Sequence, residues 1–135
     1  MTHEQFITLE TAKLAKQAGF DWNVGAYFLN GYFYRTNSYA NYNLRILADY
    51  KTISAPTQAV LQRWLREVKN REVIVDIALL IAHCYEPMLG IVNRYATDNM
   101  PAVVWKRIDD ARKYPTYEAA LEAGLQKCLT LINEE

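Results

Sequence analysis

Between Ser54 and Ala82 the apolar residues change their period, and that change restricts the architecture more than any other feature of the chain. Val60, Leu61, Trp64, Leu65 and Val68 recur at helical spacing and form one stripe. From Val73 the spacing becomes two. Val73, Val75, Ile77, Leu79 and Ile81 fall on one side, and Ile74, Asp76, Ala78, Leu80 and Ala82 on the other. The β-branched start favours a strand, because branched side chains pack well on a pleated surface. A helix over 55–69 therefore leads directly into a strand. Ser54 is placed to cap the helix. Pro56 suits its first turn, where a missing amide costs nothing. The stripe covers a sheet, and Gln62, Arg63, Arg66 and Lys69 are left on a water-facing rim.

Upstream, Leu9 to Ala18 reads as a first helix with Thr8 as its cap, Ile7 as an apolar staple and Gly19 as its stop. The stretch AYFLNGYFYR (26–35) places Asn30-Gly31 between two aromatic runs. Both residues accept the positive φ of a type I′ turn, so strands are expected near 25–29 and 32–36. Thr36 to Asn43 is Asn-rich and reads as a loop, and Leu44 to Leu47 as a short strand.

Downstream, Pro87 and Gly90 are expected to flank a turn, followed by a strand from about Met88 to Tyr95. The stretch 97–101 is turn chemistry. Residues 102–107 favour a strand, with a helix reaching Lys113 as the alternative. Thr116 caps a last helix over Tyr117 to Asn133. Gly124 lies inside that helix, where glycine costs up to about 1 kcal/mol relative to alanine. Close backbone packing is therefore expected there, against the strand that starts at Val73.

Helix, hairpin, helix, meander and helix do not alternate in the way a doubly wound parallel sheet requires. The expected fold is α+β: a single domain over 1–135, with an antiparallel sheet (hairpin plus meander) covered on one face by about three helices. A chain of 135 residues can bury such a core without disulfides or metal. No apolar run reaches the roughly 20 residues of a membrane helix, and Met1 to Gln5 lacks the features of a signal peptide. A cytoplasmic protein with no membrane role is the expectation.

Two segments, SAPTQAVLQRWLREVKNREVIVDI (54–77) and YPTYEAALEAGLQKCLTLI (114–132), resemble a family of small uncharacterised proteins of bacterial prophages and mobile elements. LETAKLAKQAGFDW (9–22) is similar to that family too. The resemblance covers somewhat under half of the chain and implies an accessory protein with no assigned activity or functional residues. Family members carry Glu where this chain has Ala119, so a capping box with Thr116 is lost here.

No catalytic constellation is legible. His83 and Cys84 are adjacent on a strand and point to opposite faces, so they cannot pair. Cys128 lies on the apolar side of the last helix, and Asp109-Asp110 reads as a solvated turn. Neither a cofactor nor a metal site is expected. Histidines number two and sit far apart, and there is no Cys-x-x-Cys.

Three functions remain. The first is a non-catalytic protein-interaction module, its partner an unknown protein or a second copy in a homodimer. Six of the ten tyrosines lie from Tyr27 to Tyr50, and Tyr27, Tyr32 and Tyr34 are its candidate interface. The second is nucleic-acid binding through Gln58, Gln62, Arg63, Arg66 and Lys69 of the helix 55–69. A net charge of zero counts against it. The third is a small-ligand binder or enzyme with a pocket lined by tyrosines and Trp22.

Overall fold

The computed structural model describes residues 4–44, 46–47, 50–77, 85–92, 103–107 and 114–135. Within them the chain is α+β, with three helices and antiparallel strands, as the patterning implies. The strands are shared between two sheets, one of four strands in the order β2-β1-β4-β3 and one of three in the order β5-β6-β7. The chain groups into two compact units. Unit 1 is Met1–Leu61 with Leu129–Glu135, and unit 2 is Gln62–Cys128. No described helix is long and apolar enough to cross a membrane.

In unit 1, helix α1 (Leu9–Gln17) starts at Thr8, whose hydroxyl accepts the Thr11 amide. It ends before Gly19, which adopts φ +95°. Ile7 and Phe20 are buried on either side of it. Strands β1 (Val24–Leu29) and β2 (Tyr32–Ala40) form the hairpin, with Asn30 at φ 53° and Gly31 at φ 82°. These two positive values are those a type I′ turn needs. Val24, Ala26 and Phe28 point into the core, while Gly25, Tyr27 and Leu29 are half-buried on the other face.

Strand β2 runs further than expected, through most of the segment read as a loop. It does so by way of a large bulge. Val24 pairs with Ala40 and Ala26 pairs with Arg35, so Thr36, Asn37, Ser38 and Tyr39 all stand opposite Gly25. Strand β3 is the short Ile46–Leu47, within the 44–47 segment read as a strand. It pairs with β4 (Tyr50–Ser54), which has no counterpart in the sequence reading. β4 also lies against β1, with Ser54 opposite Tyr27. Asn43 joins these pieces: its Nδ2 donates to the Phe20 carbonyl at 2.8 Å and its Oδ1 accepts the Ser54 amide at 2.8 Å.

Helix α2 is Gln58–Val68, shorter than 55–69. Its cap is Thr57, whose hydroxyl accepts the Val60 amide at 3.2 Å, and not Ser54. Ser54 completes the β4 ladder, and Phe6 bridges to Thr57, so the chain is still extended where a cap at Ser54 would have begun the helix. Leu61, Trp64 and Leu65 are fully buried, as the stripe requires. Val68 is exposed at the last turn, and Gln58 is buried instead.

In unit 2, β5 (Arg71–Ile77) pairs with β6 (Tyr85–Val92), and β6 with β7 (Val103–Arg107). The residues after Glu72 are thus extended, and 103–107 is strand. Pro87 and Gly90 lie within β6 and do not flank a turn. A proline is tolerated in this central strand for a geometric reason. Tyr85 exchanges both backbone hydrogen bonds with Tyr114, so every second residue after Tyr85 directs its amide position to that side. At Pro87 that side lies between the Tyr85–Tyr114 bridge and the first β7 pair, Met88 with Arg107, so no described ladder bond is lost.

Helix α3 (Tyr117–Glu134) is capped by Thr116, which accepts the Ala119 amide at 3.1 Å. Leu121, Leu125, Cys128 and Leu129 are buried. Gly124 faces Val73 and Pro87, the close approach expected of it. Residues 78–84, which include the positions expected to continue the first meander strand and the pair His83 and Cys84, lie outside the described residues. So do residues 93–102 and 108–113, the latter with Asp109 and Asp110.

Candidate functional site

Two features of unit 1 present chemistry at the surface, and both are built by β2. The first is its outer edge. β2 is the terminal strand of the four-stranded sheet, and no described strand lies beyond it. The Ala55 amide donates to the Ala26 carbonyl at 3.0 Å, so Ala26 turns its backbone groups toward β4. Ala26 pairs with Arg35, and the pattern alternates along an antiparallel ladder. Tyr32 and Tyr34 therefore bond inward to β1, while Phe33 and Arg35 turn their N–H and C=O groups outward.

The side chains on this edge are unusually apolar for a strand with a free side. Tyr32, Phe33, Tyr34 and Tyr39 are all exposed, Tyr32 at 70% and Tyr39 at 71%. Tyr27 is half-buried: its ring stacks on Tyr42 with centroids 4.6 Å apart and on Tyr34 at 5.6 Å. On the opposite face Phe33 packs edge-on against Phe6 at 5.1 Å and Phe28 at 5.6 Å. Of the three candidate interface tyrosines, Tyr32 and Tyr34 stand at the edge, and Tyr27 supports Tyr34 from below.

The second feature is a cleft of about 420 Å³ beside the bulge, lined by residues of unit 1 alone. Phe6, Val24 and Val60 supply apolar surface, and Asn23, Thr36 and Asn37 supply polar groups. Tyr39 overlies Gly25 so closely that a Cβ there would lie 2.8 Å from its ring carbons. The one cation of the lining is Arg35, whose guanidinium lies over the Phe6 ring at 5.2 Å. Glu4 approaches it at 3.8 Å, beyond hydrogen-bond length, and both side chains are about two-thirds exposed. Of the aromatic pocket read from the sequence, only Tyr39 takes part. Trp22, Tyr27, Tyr32 and Tyr34 do not line this cleft.

On the rim of α2 the candidate nucleic-acid contacts have partners within the chain. The Gln62 amide donates to the Val73 carbonyl, so it is used within unit 2. Arg63 is paired with Glu67 at 3.0 Å on the surface, and Arg66 with Glu72 at 3.3 Å, where the Glu72 side chain is largely covered. The Lys69 ammonium lies over the Trp64 ring at 5.6 Å. Arg63 and Arg66 stand in water, as expected of the rim, but each carries an acidic neighbour.

Among the described residues no group of three His, Cys, Asp or Glu side chains could hold a metal ion. The residues that sequence reasoning passed over are Glu4, Phe6 and Arg35; Tyr39 enters it only as one of the clustered tyrosines. The hairpin turn carried a partial signal, because a two-residue turn fixes the register and puts Phe33 and Arg35 on the outward positions. The bulge that brings Tyr39 back over Gly25 had none. Comparison with protein families, curated proteins and solved structures finds no match to this chain.

Proposed function

We propose that the chain is a protein-interaction module, an accessory protein of the kind the resemblance to mobile-element proteins implies. Its docking element is the outer edge of β2. The observation that carries this reading is the row of exposed aromatic rings, Tyr32, Phe33, Tyr34 and Tyr39, on a strand whose outer backbone groups meet no described strand. Edge strands normally carry charge, proline or cover that discourages pairing. This edge has a single charged residue, Arg35, and an end set by the bulge.

The occupant that fits is β2 of a second copy. A two-fold axis beside Tyr34 places Tyr34 opposite its own mate and Phe33 opposite Arg35. The outward groups of Phe33 and Arg35 then form the hydrogen-bonded pairs, and no like charges face each other. Aromatic pairs and an arginine beside an aromatic ring are both favourable across strands. The interface is isologous, as a closed dimer requires.

The test is the solution mass by light scattering over a range of protein concentrations. A dimer is expected for the parent chain, and a monomer with unchanged circular dichroism for the double variant Tyr32→Lys/Tyr34→Lys. A parent chain that stays monomeric throughout, or a dimer that tolerates both lysines, overturns the reading.

A further inference from the structure

We propose that the cleft beside the bulge is a binding site for a small carboxylic acid with an apolar body. This goes beyond the docking role of the β2 edge and does not depend on it. Arg35 is the centre of the site. Its guanidinium carbon lies 5.2 Å over the centre of the Phe6 ring, a contact that uses its charge and none of its oxygen-seeking donors. Among the described residues those donors make no hydrogen bond. Their nearest acceptor is Glu4 Oε2 at 3.8 Å. A planar fork whose donors are unengaged is matched by a carboxylate, which accepts two parallel hydrogen bonds from it.

The chain itself shows that a carboxylate can stand there, because Glu4 does. Its hold is weak. A surface pair of this length and exposure contributes at most about 1 kcal/mol, so an incoming acid can displace it. Glu4 then acts as a resident competitor. The remaining lining defines the body of the ligand. Phe6, Val24 and Val60 offer an apolar wall, and Asn23, Thr36 and Asn37 can bond an amide or hydroxyl. A volume of about 420 Å³ lies in the range of sites for small molecules. The same chemistry occurs in a free N-acylated amino acid and at the C-terminus of a peptide.

The experiment is a titration of the full chain, followed by amide chemical shifts. The probes are N-acetylphenylalanine, its uncharged carboxamide, and a short peptide ending in phenylalanine. The acid is expected to bind at least about tenfold more tightly than the carboxamide, the difference a charge-assisted bond supplies. Arg35→Gln should reduce the acid to the level of the carboxamide, and Arg35→Lys should restore part of the difference. Glu4→Gln should tighten the acid by roughly twofold or more. All three substitutions are at exposed positions, and circular dichroism checks that the fold is kept.

Tighter binding of the peptide identifies a chain terminus as the natural source, and tighter binding of the free acid a metabolite. Repeating the titration on Tyr32→Lys/Tyr34→Lys separates the two proposals, because the cleft should bind unchanged when the β2 edge is blocked. Equal affinity for acid and carboxamide, absence of shifts in the cleft, or full acid binding by Arg35→Gln overturns the site.

Discussion

At Gly124 a methyl group would stand 2.9 Å from both Val73 Cγ1 and Pro87 Cβ. Neither neighbour can swing aside, since one is a buried branched side chain on β5 and the other a ring within β6. Alanine gains up to about 1 kcal/mol of helix propensity at such a site, while overpacking a filled interior costs about 1–3 kcal/mol. Gly124→Ala is therefore expected to lower stability by about 1 kcal/mol, measured as the shift of the urea transition. Val73→Ala in the same chain should recover part of that loss, the signature of two residues in contact. Gly25 is the contrasting case. Its close neighbour is the exposed ring of Tyr39, which can rotate into water. Gly124 was legible in the sequence because a glycine inside an apolar helical stripe demands a packing reason. Tyr39 was not, because its place depends on how many residues of β2 stand opposite Gly25.

The start of α2 separates two candidate caps. Thr57 accepts the Val60 amide, so Thr57→Ala should cost about 1 kcal/mol. The Ser54 hydroxyl is buried and has no hydrogen-bond partner among the described residues. Removing an unsatisfied buried polar group relieves its desolvation cost, so Ser54→Ala should leave stability unchanged or slightly raised. Chemical denaturation of the two variants side by side checks the ordering, and a larger loss for Ser54→Ala would reverse the assignment. Helices and the hairpin were legible because their signals are local: caps, a stripe, and Asn-Gly between aromatic runs. Strand β4 was not. It exists because Ser54 and its neighbours pair with β1, some 25 residues earlier in the chain, and no nearby residue announces that partner. The cleft shares this origin, since Glu4, Arg35 and Val60 are joined only by the finished sheet.

At the scale of the molecule, unit 1 is made of two pieces distant in sequence, Met1–Leu61 and Leu129–Glu135. The second piece is short but well anchored. Leu129 is fully buried, and the Asn133 side-chain amide donates to the Leu14 carbonyl at 3.2 Å. A chain ending at Cys128 should accordingly lose protection in α1 more than in the β5-β6-β7 ladder, which hydrogen exchange resolves segment by segment. Equal loss in both would contradict the division. The strands of the ladder all precede the cut and are near neighbours along the chain. This arrangement also bears on biosynthesis. Every residue of unit 2 is joined to the chain before Leu129–Glu135, the last stretch of unit 1, is added, so unit 1 is the later of the two to have all its parts. The earliest residues to emerge wait longest for their partners, with the aromatic edge of β2 uncovered meanwhile.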